Sequence, residues 1–132
     1  MLFSKRVINA PSIASDKRAK GAHYESLAHS YLNQHGLLFI QRNFNCKVGE
    51  IDLIMQDRSC LVFIEVRYRK HTQYGSAVES ISQAKMRKVM KAAQYWLMTK
   101  HLSIENTEFR FDVVAIDSDD RISWIKNAMT QG

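Results

Sequence analysis

Residues 49–68 read GEIDLIMQDRSCLVFIEVRY, and the fold turns on them. Two runs rich in β-forming residues, 50–56 and 60–68, flank the polar turn Asp57-Arg58-Ser59; this is the pattern of a β-hairpin. Just upstream, residues 37–45 hold further β-formers around Phe39 and Ile40, and Lys47-Val48-Gly49 reads as a second turn. Three strands joined by two short turns predict an antiparallel meander.

Helical patterns lie on either side. Tyr24, Leu27, Ala28, Tyr31 and Leu32 fall at i, i+3, i+4, i+7 and i+8, one apolar helix face, with Ser15 or Asp16 as cap and Gly36 at the end. After a polar loop over residues 70–80, Met86, Val89, Met90, Ala93 and Leu97 mark a second helix, capped by Ser80 or Ser82. Residues 109–116 are apolar enough for a central strand, 117–120 form an acidic turn, and 122–125 give a short last strand. The second helix is long enough for a right-handed crossover between parallel strands. The fold class is therefore α/β, a mixed β-sheet in the order helix, three strands, helix, strand, strand, with helices on its faces.

The chain has 132 residues, which suits one domain, taken as residues 17–132 behind a basic N-terminal arm of residues 1–16. Lys5 and Arg6 in that arm could touch phosphates, though an unstructured terminus is the plainer reading. The formal net charge is +6 with a pI near 9.5, which favours an anionic partner such as nucleic acid. No apolar run is long enough for a membrane span or a secretory signal. Two cysteines, Cys46 and Cys60, without metal-ligand spacing, fit a reduced cytoplasmic protein. Nucleotide-binding glycine loops, GxSxG and HExxH are absent.

Alternation in a strand puts residues i and i+2 on one face. Glu50 and Asp52 then share a face, with Ile51 and Leu53 on the other; Glu65, Arg67 and Arg69 share a face with Phe63. If the two strands pair through their short turn, Asp52 and Glu65 come together, and two adjacent carboxylates need a proton or a cation between them. Mg²⁺ takes one or two carboxylates plus waters and phosphate, and Arg67 could stabilise charge on that phosphate. The plainer alternative is a solvated face of ordinary ion pairs. Against it, Glu65 follows Leu61-Val62-Phe63-Ile64, and a charge behind such an apolar run needs a partner.

Glu25 lies at the edge of the first helix's apolar stripe, where spacing alone favours solvent. Lys85, Arg87, Lys88 and Lys91 give the second helix a positive face that could follow a phosphate backbone; more often such a face is only solvated. Arg69, Lys70 and His71, with Tyr68 and Tyr74, border the proposed site and could contact a strand or stack on bases. Tyr95 and Trp96 read as packing residues.

The pieces Gly21-Ala22-His23-Tyr24-Glu25, Gly49-Glu50-Ile51-Asp52-Leu53-Ile54, Phe63-Ile64-Glu65-Val66-Arg67-Tyr68-Arg69, Ile81-Ser82 with Lys85, and Phe111-Asp112-Val113-Val114 occur in an order that resembles the YraN-type family of uncharacterised bacterial proteins. Through that family the chain is similar to the restriction-endonuclease-like PD-(D/E)xK superfamily, and to Holliday-junction resolvases most closely. The resemblance covers residues 17–125. It implies a restriction-endonuclease-like core and an Mg²⁺- or Mn²⁺-dependent endonuclease acting on DNA, with branched DNA among its substrates. Asp52, Glu65 and Glu25 would be the site acids, Asp52, Glu65 and the Val66 carbonyl the metal ligands, and Arg67 the phosphate contact. Arg69, Lys70, Lys85 and Lys88 are the expected nucleic-acid contacts.

Two positions depart from the family pattern. Arg67 stands where Lys is usual, and Arg cannot serve as a base; Ile51 replaces a Pro of no chemical role. Metal binding is thus better supported than turnover, with Lys70 or Lys85 available as substitutes. The alternatives are a nucleic-acid-binding relative that does not cleave, and a protein-interaction module using the basic helix. A homodimer follows only on the resolvase analogy, because a four-way junction has two-fold symmetry.

Overall fold

The computed structural model describes residues 13–70 and 81–128. The predicted stripe forms the seam of the first helix, α1 (Ile13–Gln34): Ala28 and Leu32 are fully buried, and Tyr24, Leu27 and Tyr31 pack beside them. The helix starts ahead of the expected Ser15 or Asp16 cap, because Ile13 and Ala14 already take helical backbone. Its end is as the glycine predicts. Gly36 has φ of 95°, and the Leu37 N–H donates to the Leu32 carbonyl at 3.0 Å, a left-handed cap that turns the buried Leu37 back onto the helix.

The meander follows as β1 (Leu38–Cys46), β2 (Gly49–Asp57) and β3 (Cys60–Tyr68). Next come helix α2 (Gln83–Thr99), β4 (Phe109–Ile116) and β5 (Ile122–Ile125). The five strands form one sheet in sequence order. Only β3 and β4 run parallel, joined across α2; the other neighbours are antiparallel. This is the mixed sheet the sequence predicts.

Each face of the sheet has its own core. Phe63, Ile54, Phe111 and Val113 meet Val89, Ala93, Trp96 and Leu97 of α2. Leu53, Val62, Ile64 and Val114 meet Ala28 and Leu32 of α1. Burying such a side chain contributes about 1.5–3 kcal/mol, so the two layers hold the sheet between them. Trp96 is a packing residue as expected, its indole N–H donating to Gln41 Oε1 at 2.9 Å. Tyr95 is not: it is 47% exposed, its ring stacked on Phe44. Cys46 and Cys60 are both free thiols. Among the described residues no helix is long and apolar enough to cross a membrane.

Ser82 caps α2, its hydroxyl accepting the Lys85 N–H at 3.0 Å. Ile81 before the cap and Met86 after it join the same core, a hydrophobic staple that fixes the entry to the helix. The expectations for the arm over residues 1–12, and for His71, Tyr74 and Ser80, lie outside the described residues.

One predicted alternation fails. Ile51 and Leu53, expected on one face, are buried in different cores. Their partners on β1, Phe44 and Arg42, divide the same way: Phe44 packs on the α2 side, while Arg42 reaches α1. Between them Asn43 has φ of 57°. A left-handed residue in a strand turns the chain over, so both strands change face at Asn43 and Asp52. The β2–β3 pairing also ends here, at Leu53↔Ile64.

Candidate active site

Asp52 sits where regular pairing stops. With no ladder bond left to make towards β2, the Val66 N–H donates instead to Asp52 Oδ2, at 2.8 Å. This bond holds Asp52 against β3 near Glu65, close enough for the two carboxyls to act on each other electrostatically. The predicted juxtaposition of the two acids is therefore present, reached through a distorted strand end rather than simple alternation.

Glu65 is 5% exposed. Its charge is met from two sides: Arg67 Nε lies 3.7 Å from Oε2, and Lys85 Nζ lies 3.9 Å from Oε1. Lys85 comes from the first turn of α2, set in place by the Ser82 cap. Burial raises the Glu65 pKa, with Lys85 and Arg67 opposing the shift. The Asp52 carboxyl is pushed up to about 8, first by burial and then by Glu65, with the Val66 N–H acting against the shift and Glu25 adding to it. Burial and their mutual repulsion thus disfavour the two carboxyls as a pair of anions. The cations stand beside Glu65, so a proton held by the pair belongs chiefly to Asp52.

Glu25 is not the solvent-facing boundary residue that spacing favours. It is 14% exposed and accepts a hydrogen bond from Arg42 Nε at 3.2 Å. Arg42 is further held by Ser26 Oγ and the Ala22 carbonyl. Glu25 is close enough to act electrostatically on Asp52, yet among the described residues no three His, Cys, Asp or Glu side chains gather as a metal cluster. Sequence reasoning missed Arg42. No spacing in β1 marks it, because the face it uses depends on the turnover at Asn43.

The expected nucleic-acid contacts divide into two groups. Lys85 and Lys88 line a cleft of about 370 Å³ together with Glu50 and the β1–β2 turn. Arg69 and Lys70 stand at the far end of β3, where the Arg69 N–H donates to the Ile116 carbonyl and the Lys70 carbonyl accepts from Ser118 Oγ. That anchors the strand end to the loop after β4. Asp112, part of the quoted motifs, belongs elsewhere. It is fully buried and accepts hydrogen bonds from Arg110 Nε, Trp124 Nε1 and the Asn127 N–H, while Arg110 also donates to Asp57 at 3.0 Å. With all its neighbours donating, Asp112 is a structural anion.

Among known proteins, a family profile described as uncharacterised protein family UPF0102 matches residues 24–116. A UPF0102 protein of Aliivibrio salmonicida is 53% identical over 118 residues, covering 89% of this chain and 96% of that protein. One from Photobacterium profundum is 49% identical with 89% and 94% coverage. One from Vibrio cholerae is 43% identical with 89% and 97% coverage. The matched span contains both acids, both cations beside Glu65 and the whole sheet as far as β4.

Proposed function

Because the chain belongs to the uncharacterised protein family UPF0102, whose name assigns no activity, we propose a function from the site itself: a metal-dependent nuclease-like protein of the PD-(D/E)xK kind, acting on DNA phosphodiesters in the cytoplasm, with branched DNA among its substrates. The observation that carries this reading is the pair Asp52 and Glu65, held together in a partly desolvated strand end with Lys85 and Arg67 against one member. Two neighbouring buried carboxyls are costly to keep, and a site that keeps them is a candidate for chemistry.

The donor set fits one Mg²⁺ or Mn²⁺. Asp52 and Glu65 supply the one or two hard carboxylates such an ion requires, leaving room for water and phosphate. In an extended strand a residue's N–H and C=O point to the same side; since the Val66 N–H faces Asp52, its carbonyl is on that side too and suits a further ligand. An ion bound there would supply positive charge to the phosphate and to the attacking water. The chain's own contribution is positional. Arg67 presents a fixed cation to a phosphate oxygen, Lys85 offers a compact ammonium beside Glu65, and Glu25, braced by Arg42, biases Asp52 from the α1 side. Lys88 and the basic face of α2 extend the positive track beyond the acids. A homodimer would give such a site the symmetry of a four-way junction.

The test is cleavage of single-stranded, duplex, flap and four-way DNA at low salt in Mg²⁺ or Mn²⁺, with an Asp52→Ala/Glu65→Ala protein purified alongside. Cleavage by the parent and a loss of at least about a hundredfold in the double variant are expected; equal cleavage by both would sink the proposal. A second reading, a DNA-binding relative without turnover, is favoured by two observations: Arg67 in the usual Lys position, and Glu25 committed to Arg42. It predicts salt-sensitive binding and no cleavage in either metal.

A further inference from the structure

Two of the three described glycines are explained by the fold. Gly36 ends α1 in left-handed backbone, and a Cβ at Gly49 would collide with the Lys88 carbonyl. Gly21 is different. It lies inside α1, where glycine weakens a helix, yet a Cβ there would meet nothing within 4 Å. What it opens onto is a hollow of about 280 Å³ between α1 and the end of β3.

The hollow has the chemistry of a base-binding site. Tyr24 and Tyr68 form its aromatic wall, their rings stacked at 4.8 Å and 20°, and Tyr68 is 40% exposed. Lys17 and Lys20 stand at its rim. They are four and one residues before Gly21 and share its helix face with Tyr24, so cation, gap and ring line up along one side of α1. Glu25 also lines the hollow, its carboxylate held by Arg42. Val66 also lines the hollow, and it is the residue whose N–H holds Asp52. The hollow therefore adjoins the acid pair on the α1 side of the sheet.

We propose that this hollow takes one unpaired nucleobase of the strand whose backbone crosses Asp52 and Glu65. Placing that backbone rests on the nuclease reading above. The base leaves its stack and lies against the exposed ring of Tyr68, which Tyr24 backs, and its flanking phosphates meet Lys17 and Lys20; aromatic platforms hold single bases in this way. The substrate class is then nucleic acid with an unpaired nucleotide beside the scissile bond, as in bulges, flaps and junction branch points, in preference to continuous duplex.

The test compares three fluorescein-labelled DNAs by anisotropy at low salt, with Ca²⁺ in place of Mg²⁺: a continuous duplex, the same duplex with a one-nucleotide bulge, and the same bulge without its base. The full-length protein should bind the bulge about tenfold more tightly than either of the others, the advantage expected of one stacked base. Gly21→Leu fills the hollow and should bring the advantage close to one, with a melting temperature no lower than the parent's, since leucine is the better helix former. Tyr68→Ala, at a half-exposed strand end, should do the same by removing the wall. Equal binding of the bulge and its abasic form overturns the proposal, as does an advantage that survives both variants, or no binding of any of the three. Cleavage in Mg²⁺ is run in parallel. Asp52-dependent cleavage without a base advantage removes the hollow and leaves the nuclease reading intact; a base advantage without cleavage does the reverse.

Discussion

Asp52 and Glu65 are each disfavoured as anions for the same first reason, burial, and this ties the metal-free protein's stability to pH. In the unfolded chain Asp52 ionises near 4; folded, it is pushed up to about 8. Between these values the folded protein holds a proton that the unfolded chain has released. Raising the pH therefore favours unfolding: the contribution is fully present below about 4 and lost as pH climbs through about 8. The urea midpoint of metal-free protein should accordingly fall from pH 5 to pH 9. Asp52→Asn, which keeps an oxygen for the Val66 N–H but cannot ionise, should flatten most of that fall; an unchanged slope would mean the proton is held elsewhere. The closeness of the pair was legible in the sequence, since the short turn Asp57-Arg58-Ser59 returns the chain beside β2 and an acid behind Leu61-Val62-Phe63-Ile64 needs a partner. The guanidinium on Glu25 was not, because Arg42 reaches α1 only through the left-handed backbone at Asn43, which no residue type in β1 requires.

At the scale of elements, the hairpin and the two helix stripes could be read directly, since apolar spacing and burial coincide in α1, α2 and β3. Besides an irregularity in β1 between Phe39 and Gln41, the strict two-residue period failed in β1 and β2 at the site, where the strands turn over. There Gly49 lets the β1–β2 turn lie on the backbone of α2. A Cβ at that position would come within 2.7 Å of the Lys88 carbonyl oxygen, and a helix backbone cannot yield as a side-chain tip can. Gly49→Ala should therefore cost about 1–3 kcal/mol in urea unfolding. It should also displace the first turns of α2, so that metal-dependent cleavage, where present, falls further than the lost folded fraction explains. A change of stability under about 0.5 kcal/mol would show that the contact is readily relieved.

For the molecule as a whole, the second buried carboxylate lies on the opposite face of the sheet from Glu65, among Arg110, Trp124 and the Asn127 N–H. Removing one member of such a buried pair leaves its partners unmet, so Asp112→Ala should destabilise by about 3 kcal/mol, tempered by the bond Arg110 keeps to Asp57. Under the proposed function, DNA binding by the folded fraction should be unaltered, which separates this network from the acid pair; a loss of binding at full folding would join them. Its role was hidden in the sequence because Trp124 and Asn127 come from a stretch well separated from Asp112. The parallel pairing of β3 with β4 has a consequence for the chain as it is made. β1, β2 and β3 are consecutive, so the strands that bring the two carboxyls together pair through local turns. Lys85 arrives only with α2, and the α2-side core closes only when β4 docks across a long crossover, a slow step in any parallel sheet. The strand pairing that places the two acids is thus local in the chain, while the burial that raises their pKa depends on segments that follow later.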